Sequence, residues 1–179
     1  SERLRHRGPD GEGIFAVGPA ALVHRRKAIV PNRSVQPLVS YDLVLVLDGW
    51  LFGHLDLARR FGWDDPNIPD TAVLLEAWRR DGPDCVQHID GSFAFAVWDR
   101  HNATLHLVRD RMGTRPLFWS RNGGRFAFAS ELPALLCVPW VSRELQTEHL
   151  AEYLSFRIVH SPRTLVRDVL NELDSESVY

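Results

Sequence analysis

The sequence predicts an α+β domain built on antiparallel sheets. Strand-like segments outnumber helical ones, and they come as hairpins around turn residues rather than alternating with helices. A single long amphipathic helix stands among them. A length of 179 residues, 45% of them apolar, suffices for a real core.

The apolar runs 12–17 and 20–24, split by Gly18-Pro19, read as a hairpin. Leu43 to Leu47 is an unbroken branched run, suited to a strand covered on both faces and ending at Asp48-Gly49. His54 to Phe61 has helical spacing and Gly62 closes it. Asp70 to Arg80 is the strongest helix, with Asp70 as N-cap, Val73, Leu74, Ala77 and Trp78 on one face, and Gly82-Pro83 as its stop. Phe93, Phe95 and Val97, then Leu105, Leu107 and Arg109, alternate about the turn Arg100-His101-Asn102. A further hairpin turns at Asn122-Gly123-Gly124, and 131–137 and 147–156 read as helices.

The net charge of −2 and the scattered arginines give no reason to expect nucleic acid. No apolar run reaches membrane-spanning length, so no membrane partner is expected. Two cysteines, Cys85 and Cys137, without metal-type spacing, point to a reducing, cytoplasmic setting and to no metal site.

The chemistry lies in an ordered series of short motifs. Arg5-His6-Arg7-Gly8-Pro9-Asp10-Gly11 is followed by His24-Arg25-Arg26-Lys27-Ala28-Ile29-Val30, Gln36-Pro37-Leu38 and Asp48-Gly49. Asp70-Thr71-Ala72-Val73-Leu74-Leu75, the run from Gly91 to Asp99, Arg109-Asp110-Arg111-Met112-Gly113 and the run from Phe126 to Leu132 complete it. In this order the series resembles the class II glutamine amidotransferase domain of asparagine synthetases, over roughly residues 5–168. The resemblance implies an αββα fold of the N-terminal nucleophile hydrolase type, here without the strand that carries the nucleophile. It implies an amidotransferase domain over 1–146 and, over 147–179, a linker leading to an ATP-dependent synthetase domain outside this chain. Glutamine-derived ammonia would serve ATP-dependent amide formation, with ATP and magnesium in that synthetase domain. Partners would be glutamine, the synthetase domain or a partner chain, and a second copy in a homodimer.

By the same resemblance Arg26 grips the glutamine α-carboxylate, which suits a guanidinium fork. Lys27, Ala28, Ile29 and Val30 line the pocket, and Asp70 takes the α-ammonium. The family's nucleophile is an N-terminal cysteine; none stands here. Ser1 lies too close to the Arg-Gly-Pro-Asp-Gly turn to substitute, because an extended residue spans only about 3.3–3.6 Å. Cys85 reads as a packing residue, and no catalytic residue is assigned. Where the family has Asn-Gly-Glu at its oxyanion segment, this chain has Asp48-Gly49-Trp50. An ionised aspartate has no N–H to donate, and an indole cannot bind an ammonium as the glutamate does. The resemblance therefore implies either an amidotransferase part or a catalytically dead scaffold, of the kind in β-lactam synthetases and lasso-peptide cyclases, or else a non-functional fragment. The Arg109 to Leu117 turn reads as structural, fixed by Arg/Asp hydrogen bonds.

Overall fold

The computed structural model describes residues 1–28, 35–171 and 177–178. The chain divides into two compact units, Ser1–Arg115 with Ser175–Tyr179, and Pro116–Asp174. Antiparallel sheets with helices make it the expected α+β class.

In the first unit, β1 (Gly11–Val17) and β2 (Ala20–Arg26) form the expected hairpin about Gly18-Pro19. A second sheet has the order β3 (Leu38–Ser40), β4 (Leu43–Phe52), β5 (Asp90–Asp99), β6 (Thr104–Arg109) and β9 (Ser177–Val178). β4 does not end at Asp48-Gly49. Its ladder with β5 continues to Phe52↔Asp90, because ten consecutive pairs hold the motif in the strand. Val44 to Leu47 are all buried, as a strand covered on both faces requires.

α1 (His54–Arg60) and α2 (Asp70–Asp81) follow β4. The predicted apolar face of α2 is its buried face, and Leu74, Trp78, Leu45, Phe95 and Val97 share one core cluster. The cap differs from expectation. Pro69 occupies the cap position and Asp70 is the first helical residue. Its Oδ1 accepts the Thr71 N–H at 2.8 Å and its Oδ2 the Leu51 N–H at 3.3 Å, so its carboxylate ties the helix to β4. The β5–β6 register also refines the alternation. Phe95 and Val97 sit opposite Val108 and His106, whereas Leu107 and Leu105 sit opposite Ala96 and Trp98 on the other face.

On the outer side of α2, Glu76 accepts hydrogen bonds from Arg79 at 2.7 and 2.8 Å and from Arg80 at 2.6 Å. These guanidinium groups hold its carboxyl down at about 2. A folded value below the unfolded one adds stability above about pH 4.5, and that stability is lost as pH falls towards 2. The arginines are largely solvated, so the expected contribution is only about 1 kcal/mol. Glu76→Gln should flatten the acid limb of the stability curve between pH 4.5 and 2. A limb unchanged in urea melts over that range would contradict this assignment.

The second unit holds the hairpin β7 (Phe118–Asn122) and β8 (Arg125–Ala129), then α3 (Leu132–Leu135), a short 3₁₀ turn at Thr147–His149, and α4 (Leu150–Phe156). Leu135, Val141 and Val169 centre its own small core. No helix among the described residues is long and apolar enough to cross a membrane.

Candidate functional site

The site predicted from the sequence falls on β4 of the first unit. Along an antiparallel strand, alternate N–H groups point to the same side. The Leu47 N–H is taken by Gln36 Oε1 at 2.6 Å and the Leu51 N–H by Asp70 Oδ2, so both point away from β5. Gly49 lies midway between them, and the alternation would turn its N–H to that same edge. Its backbone is special: φ is +124°, and a β-carbon there would lie 2.0 Å from the Ser92 carbonyl oxygen. Only glycine lets β4 and β5 approach so closely.

Asp48 and Trp50 share one face of β4, opposite Ala94 and Ser92 of β5. Asp48 is not the bare anion that its sequence position suggests. Arg7 Nη2 donates to its Oδ2 at 2.8 Å, and Arg115 Nη1 lies 4.0 Å from its Oδ1. The Arg115 guanidinium also lies over the Trp50 ring, 4.5 Å from its centroid, and its Nε donates to Ser92 Oγ at 3.2 Å. Behind it the 109–115 turn is rigid. Arg109 donates to the carbonyls of Gly113 and Arg115, and Asp110 accepts from the N–H groups of Phe93, Met112 and Thr114 and from the Thr114 hydroxyl. Those bonds hold the Asp110 carboxyl below the usual carboxylate range against the opposing effect of its burial. This is the structural role read from the sequence, with Arg115 added to the site.

Arg26 ends β2 opposite Gly11, and its carbonyl accepts the Asp10 N–H at 3.0 Å. The Ala28 N–H reaches Asp10 Oδ2 at 2.8 Å, so Asp10 fixes the chain on both sides of Lys27. Ile29 and Val30, the other expected lining residues, lie outside the described residues. Two residues before Arg26 on the same strand, His24 hydrogen-bonds the Leu47 backbone and feels the charges of both Asp48 and Arg26. Burial is the largest influence and moves its imidazole below the usual range, against the pull of Asp48 and the Leu47 bond. β2 and β4 thus bring Arg26 and Asp48 within electrostatic reach of one imidazole. Asp70 reaches the same β4 edge through Leu51.

Cys85 is 1% exposed, and burial pushes its thiol up to about 12, so it is a packing residue. Cys137 lies in the second unit.

The signature of the glutamine amidotransferase domain matches residues 1–177. The chain belongs to this amidotransferase family. It is 30% identical over 181 residues to asparagine synthetase [glutamine-hydrolyzing] 3 of Bacillus subtilis, covering 97% of this chain and 30% of the relative. It is 34% identical over 144 residues to asparagine synthetase B [glutamine-hydrolyzing] of Escherichia coli, covering 77% of this chain and 26% of that one. The amidotransferase chain therefore spans about a third or less of the length of these curated relatives. Among solved structures, it is similar to glutamine phosphoribosylpyrophosphate amidotransferase from Bacillus subtilis, complexed with ADP and GMP. The TM-score is 0.54 at 26% identity, over 64% of this chain and 28% of that one. The fold is accordingly that of the N-terminal nucleophile hydrolases.

Arg7 and Arg115 are the site residues that motif reading missed. Both stand inside quoted motifs, but their partner Asp48 is remote in sequence, and no local pattern announces the pairing.

Proposed function

We propose that this chain is the glutamine amidotransferase part of a cytoplasmic asparagine synthetase-type protein. In its parent reaction, ammonia from glutamine would be used in ATP-dependent amide formation. The observation that carries the reading is the β4 edge at Gly49, with Asp70 bonded two residues along it and the Arg26 strand packed beside it. The glutamine α-carboxylate would lie on Arg26 and its α-ammonium near Asp70. Residues 147–179 would lead towards the synthetase part, which would carry ATP and magnesium. Among the described residues no group of three or more His, Cys, Asp or Glu could hold a metal ion.

A second reading concerns activity, and Asp48 favours it: in this chain the site serves as a scaffold. A glutaminase must stabilise the oxyanion formed at the amide carbonyl, and loss of one donor costs about 10²–10³ in rate. Here the side chain at that position is a carboxylate committed to Arg7. The Trp50 indole, under a guanidinium, offers no anion to a substrate ammonium. Cys85, buried and with its thiol pushed up to about 12, is not a nucleophile.

The expected result is that this chain by itself releases no ammonia from glutamine above a heat-treated control. Release that Arg26→Ala abolishes would sink the scaffold reading and restore glutaminase activity to the chain. Recognition is tested separately by glutamine-induced NMR shifts, which Arg26→Ala should weaken. A chain that shows no such shifts would lose the amidotransferase site assignment itself.

A further inference from the structure

Arg115 is anchored through its Nε and lies over an indole. Its Nε is anchored to Ser92 Oγ, and that hydroxyl is itself 2.7 Å from Thr114 Oγ1, which bonds Asp110. Its guanidinium carbon lies over the Trp50 ring, 4.5 Å from the centroid. The side chain is 23% exposed, so the group is partly desolvated. Its Nη1 stands 4.0 Å from Asp48, an ion pair beyond hydrogen-bond reach. The two terminal NH₂ groups therefore keep their donors without a hydrogen-bond partner among the described residues. A fork held from behind, over an indole, with terminal donors that make no hydrogen bond among the described residues, is preorganised for a planar, two-oxygen acceptor.

We propose that Arg115, stacked on Trp50 and anchored by Ser92, forms a carboxylate-binding fork on this face of the sheet. It goes beyond the glutamine reading, since it requires neither turnover nor Arg26. The charges decide the ligand class. Arg7, Arg115 and Asp48 sum to one positive charge, which a monoanion neutralises and a dianion overshoots. Trp50, 43% exposed, offers an apolar wall for the methylene stem beside that carboxylate. Where the family resemblance expects a glutamate facing an ammonium, this chain presents a cation, so the ligand group at this end reverses sign. A small alkyl carboxylate matches this charge; its neutral amide does not.

The test uses the full chain, ¹⁵N-labelled, titrated with propionate and with propionamide while the Arg115 Nε–H and Trp50 indole N–H resonances are followed. Propionate should shift both saturably, and propionamide should not. Arg115→Gln should weaken propionate binding about tenfold or more, as expected for the loss of a charge-assisted bidentate contact. Arg115→Lys should recover only part of it, and Arg26→Ala should leave it intact. Should Arg115→Gln fail to fold, the wild-type resonances and Trp50→Leu carry the test, since loss of the stacking wall should also weaken binding. The proposal is overturned if sodium chloride at equal ionic strength reproduces the shifts, or if Arg115→Gln binds propionate as the wild type does. Binding lost in Arg26→Ala alone would also overturn it, while leaving the glutamine reading standing.

Discussion

Gly49→Ala is expected to lower the melting temperature by about 10 °C or to prevent recovery of folded protein. Two costs add. At φ +124° an L side chain is strained, by about 1–3 kcal/mol. The new β-carbon would also meet the Ser92 carbonyl oxygen at 2.0 Å and the Phe93 α-carbon at 2.9 Å. Those are backbone atoms inside a ten-pair ladder, so no side chain can swing away, and forced overpacking costs about another 1–3 kcal/mol. Gly18→Ala is the matched control. Its φ is +61° and nothing lies within 4 Å of its added carbon, so strain acts there alone. Thermal melts should rank wild type, then Gly18→Ala, then Gly49→Ala by a wide margin. Equal melting of the two variants would mean that β4 and β5 do not approach as described.

The same geometry explains what the sequence could and could not reveal. The hairpins and α2 were legible because their signals are local: turn dipeptides, period-two alternation, one apolar helical stripe. Asp48 and Trp50 were legible as departures from a motif, because a carboxylate and an indole cannot do the work of an amide and a glutamate. Their actual environment was not. Arg7 reaches Asp48 across 41 positions, and Arg115 reaches Trp50 from the far end of the β5–β6 hairpin. Tertiary pairings of this kind have no period in the sequence. Asp70 shows how a local rule yields to tertiary contact. Aspartate before an apolar run suggests an N-cap, but Pro69 takes that position and the freed carboxylate bonds β4. β4 likewise outran its apparent end, since pairing with β5 stabilises residues that propensity alone assigns to a turn.

The second large effect is expected at Asp48. Asp48→Ala removes the carboxylate that Arg7, 28% exposed, bonds at 2.8 Å and that lies 4.0 Å from Arg115. Removing one member of a fully buried pair costs about 3–5 kcal/mol, whereas exposed pairs contribute at most about 1 kcal/mol. A pair about a quarter exposed falls between, at about 2 kcal/mol. The double variant Arg7→Ala/Asp48→Ala should lose less than the sum of the singles, because both single changes break the same ion pair. His24 reports the same event independently. Asp48 now draws its titration upward against the opposing effect of burial. Without that anion the imidazole should titrate lower still in the folded state. Its departure from the unfolded value then widens, and folded stability should fall more steeply as pH drops below about 6.5. NMR titration of the His24 ring protons measures this without any assay of activity. An unchanged His24 titration together with an additive double variant would show that Asp48 is solvated rather than paired. The carboxylate would then be a bare anion at the oxyanion position, not one neutralised by Arg7.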